Sequence, residues 1–164
     1  MAVGVGILSP GDPQAEPLAE RSFLFAEFLD TVAPYQPPRF SASALVHCHC
    51  NHKAIFGMDQ DDGLLTKTGI DFETMGNGCC GMAGPFRYVA HKYDVSKQIY
   101  THELAPAIDN TPAKTLIISD GFSCREQIRQ RAGRKTTTVP EVLAGALHRL
   151  RLAGPAQRRR MGYR

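Results

Sequence analysis

No apolar run in the chain approaches the ~20 residues needed to cross a bilayer, which excludes a membrane span. The mildly apolar start, "MAVGVGILSPGDPQAE", has no basic residue ahead of it and leads into Ser9-Pro10-Gly11 rather than a cleavage site. Export is therefore not expected, and a cytoplasmic location is. No C-x-x-C occurs, which disfavours a zinc ribbon or knuckle and excludes the cysteine run of a ferredoxin module. The glycines Gly76, Gly78 and Gly81 of "GNGCCGMAG" fall at G-x-G-x-x-G spacing, a short match that alone is a weak signal for a dinucleotide loop. No base and nucleophile stand at a telling spacing, so no catalytic residue is assigned to this chain alone. Acids are absent from residues 149–164, which carry Arg149, Arg151, Arg158, Arg159, Arg160 and Arg164. The net charge of +3 therefore comes from this end, and the remaining 13 basic and 16 acidic groups leave the body at −3. A solvated basic tail over 153–164 explains it without a specific nucleic-acid partner.

With 164 residues, 43% of them hydrophobic and 21% charged, the chain has the size and balance of one compact domain with loose ends. Asp12 as N-cap and Pro13 at the first helical position predict a helix to Thr31 or Val32, with Leu18, Phe25, Phe28, Leu29 and Val32 on one face. The proline-rich "APYQPP" stops it. Residues 1–38 thus read as an N-terminal helix and linker, and 39–152 as a cysteine-rich α/β domain.

In that domain "SALV" reads as a short buried strand, Asp61 to Thr68 as a helix ended by Gly69, and "IDFETM" as a second strand. Val95, Ile99, Tyr100 and Leu104 share a helical face, "KTLIISD" is a buried strand, and "SCREQIRQRAG" is a helix closed by Gly133. "KTTTV" reads as a fourth strand, and Pro140 opens a last helix. Strands alternating with helices predict a Rossmann-like layered α/β unit, with a mostly parallel sheet of about four strands and flanking helices.

Five cysteines, an odd number, stand at 48, 50, 79, 80 and 124. Each follows a predicted strand, at the sheet edge where ligands collect. Because 28 residues separate Cys50 from Cys79 and 43 separate Cys80 from Cys124, only a fold can gather them. Neighbouring side chains point apart in extended backbone, so the adjacent Cys79 and Cys80 suit a cluster with several metal atoms better than one small ion. The surrounding glycines supply unusual dihedrals and close approach. Cluster binding, redox-active thiols and inert buried cysteines are the readings that spacing leaves open. Nearby, His47, His49 and His52 read as packing around the loop rather than as zinc ligands. Asp120 reads as a cap for a helix starting near Ser123, and Lys53 and Arg125 as charges beside the thiols.

"HCHCNHKA", "GNGCCGMAGPFRY", "YDVSKQI" and "ISDGFSCREQI" together resemble the cysteine-rich domain, named for its Cys-Cys-Gly signature, of FAD-linked oxidases with iron-sulfur subunits. The D-lactate dehydrogenase and glycolate oxidase types are the nearest in kind, and the resemblance runs from about Ala44 to Leu147. It implies an iron-sulfur cluster, of the 4Fe-4S kind, held by Cys50, Cys79, Cys80 and Cys124. Cys48 stands where the family has a small residue and reads as a spare thiol, the alternative being that it substitutes for Cys50. The chain departs from the pattern in having Asn51 between Cys50 and His52, and Gly121 where some relatives have a further cysteine. The resemblance also casts the first helix as a remnant linking a preceding repeat, and the chain as the C-terminal piece or subunit of a larger enzyme.

The implied role is electron transfer in a flavin-dependent oxidoreductase acting on lactate or glycolate. FAD would lie on a partner chain or another domain, and any membrane association would be peripheral and through partners. The alternative from a different class is a zinc-binding or metal-free interaction module that docks on a catalytic partner. A third is a remnant whose incomplete first repeat leaves apolar surface exposed.

Overall fold

In the computed structural model, residues 9–152 are described apart from Pro34, Asn77 and the side chains of 150–152. The expected basic tail lies outside them. Three parallel strands form the sheet: β1 (Ser43–Val46), β2 (Asp71–Thr74) and β3 (Leu116–Ile118). Their order is β2-β1-β3, with Ala44 opposite Phe72 on one side and Leu116 on the other. The predicted fourth strand shrinks to a single parallel bridge between Ile118 and Thr137. Two hydrogen bonds make it, Ser119 N–H to Thr137 O (2.8 Å) and Thr137 N–H to Ile117 O (2.9 Å). Pairing ends there because the next residues turn into a helix, with Glu141 accepting the Thr138 N–H at 2.8 Å.

The helices are α1 (Ala15–Glu20), α2 (Phe25–Glu27), α3 (Cys50–Phe56), α4 (Asp59–Thr68), α5 (Tyr93–Glu103), α6 (Ala105–Asp109), α7 (Phe122–Ala132) and α8 (Val139–Leu152). They cover both faces of the sheet, because strand side chains alternate in direction. Ala44, Val46 and Ile118 pack with Leu64 and Leu65 of α4 and Val142 and Leu143 of α8. Leu45 and Ile117 point the other way, into Tyr100, Leu104, Ile108 and Ile128. Gly69 (φ 75°) and Gly133 (φ 63°) end α4 and α7 in the left-handed conformation, as their sequence positions predict. Among the described residues no helix is long and apolar enough to cross a membrane.

The first helix departs from expectation. Asp12 does accept the Gln14 N–H (2.9 Å), but α1 ends at Glu20. The Ser22 hydroxyl takes the Leu18 carbonyl at 2.7 Å, and Glu27 accepts the Leu24 N–H at 3.1 Å to start α2, which continues as a π-helix over Phe28–Val32. A hydroxyl that competes for a helix carbonyl and a new cap five residues later break one predicted helix into pieces. The apolar face is lost with it: Leu18, Phe25, Phe28 and Val32 are exposed, and Ala26 is buried in their place.

Candidate thiol site

All five cysteines lie at the carboxyl end of the sheet, on the segments that leave β1, β2 and β3. Cys50 is the first residue of α3, a helix with no side-chain cap to announce it, closed by Gly57 at φ 76°. Cys79 and Cys80 stand in the loop after β2. Cys124 occupies the first turn of α7, where it is fully buried in the core face that also holds Cys80, Met82 and Ile128.

The loop that carries Cys79 and Cys80 is fixed by contacts on every side. Gly81 has φ 89°, and a Cβ there would stand 2.5 Å from the Ser96 carbonyl oxygen of α5, so only glycine allows this approach. Ahead of the cysteines, the Gly78 N–H donates to Glu103 Oε2 at 2.8 Å. Behind them, Met82 is buried and Arg87, itself buried, reaches Met82 Sδ with Nη1 (3.6 Å) and donates to Gln130 Oε1 with Nη2. The Arg87 guanidinium also lies 5.5 Å from the centre of the Tyr93 ring. A buried bond from Gln127 Nε2 to the Ser96 carbonyl (3.3 Å) ties α7 to α5, and with it the Cys124 segment to the loop's support.

Four of the thiols neighbour one another in linked pairs, Cys80 with Cys124 and with Cys79, and Cys79 with Cys50. The Cys80 sulfur accepts from Cys124 and from the Met82 N–H, and these bonds outweigh burial and pull its pKa down to about 6. Cys124 donates that bond and is pushed strongly up, with burial adding to the effect. Burial also raises Cys79, against the Gly81 N–H that reaches its sulfur at 3.3 Å. The pairs sense each other, since charge on Cys80, Cys50 or Cys79 would raise Cys124 further. Backbone N–H groups aimed at sulfur, and thiols drawn from three segments, make a donor set that suits soft-metal chemistry. As placed, no group of three or more His, Cys, Asp or Glu side chains among the described residues could hold a metal ion.

Cys48 stands apart from these pairs. Its thiol donates to the His49 carbonyl (3.4 Å), and burial and the charge of Asp61 push it up to about 11. His52 pairs with Asp61 at 3.1 Å and packs edge-on to Phe56, while His47 is buried in the sheet edge. His49 packs so closely on the Cys124 segment that a Cβ on Gly121 would be 2.8 Å from His49 Cδ2 and 3.0 Å from Cys124 Sγ. Gly121, not Asp120, is the N-cap of α7. Asp120 instead accepts the Val139 N–H at 2.9 Å and so anchors α8, a long-range partner that reading along the sequence could not supply.

Sequence reading missed Arg87 and Glu103, and marked Gly121 only as a position without a cysteine rather than as the cap of α7. Glu103 did leave a trace: an acid in the last turn of a helix opposes the helix dipole and calls for a partner elsewhere, which Gly78 provides.

Comparison with known proteins gives partial matches. The chain is 28% identical over 119 residues to the D-2-hydroxyglutarate dehydrogenase of Pseudomonas putida, covering 71% of this chain and 12% of that protein. The enzymes of the same name from Pantoea ananatis and Escherichia coli are 30% identical over 74 and 70 residues, covering 45% and 43% of this chain. The chain spans 12% of the length of the first of these relatives and 7% of the other two. No family model matches it, and no solved structure does.

Proposed function

We propose that this chain is an iron-sulfur-binding, electron-transfer region of a flavin-dependent 2-hydroxy-acid oxidoreductase. The observation that carries the reading is that Cys50, Cys79, Cys80 and Cys124 come from three segments at one end of the sheet, with Cys80 and Cys124 buried in one core cluster. These four residues would hold the cluster, and the cluster would accept and release single electrons. The chain's own contribution is positional. Gly81 and Gly121 allow close approach, Glu103 and Arg87 hold the loop, and the Gly81 and Met82 N–H groups stabilise anionic sulfur. Similarity to three D-2-hydroxyglutarate dehydrogenases supports 2-hydroxy acids as the substrate class. It extends the expected lactate or glycolate to a dicarboxylic member of that class, with the flavin carried on other polypeptide.

Anaerobic reconstitution with iron and sulfide, followed by metal analysis and visible absorbance, tests the proposal. Bound iron and sulfide that both fall sharply in Cys80→Ser and Cys124→Ser, but not in Cys48→Ser, are expected. A colourless, iron-free protein overturns it, and stoichiometric zinc would favour the interaction-module alternative instead. A second reading rests on the depressed Cys80 thiol beside Cys124, which is the arrangement of a redox-active dithiol. It predicts a reversible Cys80–Cys124 disulfide in the metal-free chain, detectable by thiol counting before and after reduction.

A further inference from the structure

At the opposite end of the sheet from the thiols, a groove of about 370 Å³ opens between the start of β3, the loop before Thr137 and the flank of α8. Its volume lies in the range of small-molecule sites. The floor is apolar, with Leu116 from β3 and Val142 and Ala146 from α8. The rim carries Lys114, Arg134, Lys135 and Arg149 against one carboxylate, Glu141.

None of that positive charge is met by an acid at the groove. Glu141 is turned to the start of its own helix, where it accepts the Thr138 N–H at 2.8 Å and the Thr137 hydroxyl at 3.3 Å. Arg134 is held by the carbonyls of Thr111 (2.9 Å), Pro112 (3.1 Å) and Thr115 (3.3 Å), which fix its position and leave its charge uncompensated. Arg149 lies 5.8 Å from the centre of the Phe40 ring. Lys114 and Lys135 have neither a hydrogen bond nor an ion pair among the described residues. Gly145 stands in the groove wall within α8, and a Cβ there would meet nothing within 4 Å. Glycine is a poor helix former, and local packing does not require it at this position.

We propose that this groove binds an organic anion, with its apolar body on the Leu116, Val142 and Ala146 floor and its carboxylate or phosphate met by Lys114 and Lys135. The site is separate from the thiols and independent of any cluster there. Calorimetric titration of the whole chain with octanoate and octyl phosphate tests it and separates the two acid groups. Binding by at least one of them is expected, with inorganic phosphate and octanol each at least about tenfold weaker. Amide NMR shifts in the unmodified chain should center on Lys135 to Ala146.

Two variants are expected to weaken binding at least about tenfold: the double variant K114E/K135E, which reverses the charge, and Gly145→Phe, which fills open space. Circular dichroism reports whether each is folded. Unchanged affinity in both folded variants overturns the proposal. So does inorganic phosphate binding as well as octyl phosphate, or a glutamate-rich peptide displacing both ligands at lower concentration. If neither variant folds, shifts in the unmodified chain that fall away from the groove overturn it.

Discussion

The loop Met75–Tyr88 has little regular structure and the segment Ala15–Val32 is mostly helical, yet the loop is the better held. The loop buries Met75, Cys80, Met82 and Arg87 and is braced by Glu103, Ser96 and Gln130. The segment buries Ala15 and Ala26, while Leu18 is 57% and Phe25 44% exposed. The glycine-rich stretch is held because Gly78 and Gly81 bring backbone against Glu103 and Ser96. The apolar-rich stretch sends Ala26 and Leu29 to the core and leaves Phe25 and Phe28 exposed. Spacing states which residues could share a face, and only a partner surface turns that into burial.

Substitutions can break the comparison at its strongest point first. Gly81→Ala places a Cβ 2.5 Å from the Ser96 carbonyl at φ 89°. It should cost about 4 kcal/mol, shared between backbone strain and overpacking, and urea denaturation should show it as a large drop in midpoint. Met82→Ala removes a side chain that is 1% exposed and should cost about 3 kcal/mol by the same measurement.

Asp61 sharpens the electrostatic side. Burial raises its pKa above the ordinary 3.8, against the opposing effect of His52. Its folded value is therefore above the unfolded one. The stability it contributes is full below 3.8 and is lost as the pH rises through the folded value. Asp61→Asn should match the parent in acid and gain on it toward neutral pH, read as a urea-midpoint difference that grows from about pH 4 to pH 7. Phe25→Ser carries the smallest expected effect, within about 0.5 kcal/mol, because the ring is already exposed. A large loss there would show that the segment is core after all.

Much of the central unit was legible in the sequence. The runs at Ala44–Val46 and Leu116–Ile118 are too short and too apolar for anything but buried strands, and Gly69 and Gly133 mark their helix ends by the conformation they adopt. That the cysteines all leave strand ends on one edge of the sheet was legible as well. Features that depend on distant partners were not legible. Ser22 and Glu27 together end one helix and start another, α3 begins on Cys50 with no cap, and Asp120 serves a helix that starts at Val139.

The central strand is the first to be synthesised. Ala44 pairs first with Phe72 and only much later with Leu116, so one edge of β1 waits for most of the chain before it is covered. Such late, long-range closure slows folding and exposes an edge that can recruit other chains. It also keeps Cys124 away from Cys80 until β3 is made, so premature thiol pairing and edge-to-edge aggregation are failures of one step. A chain interrupted before Leu116 should therefore accumulate as insoluble material, while one interrupted after α8 should not.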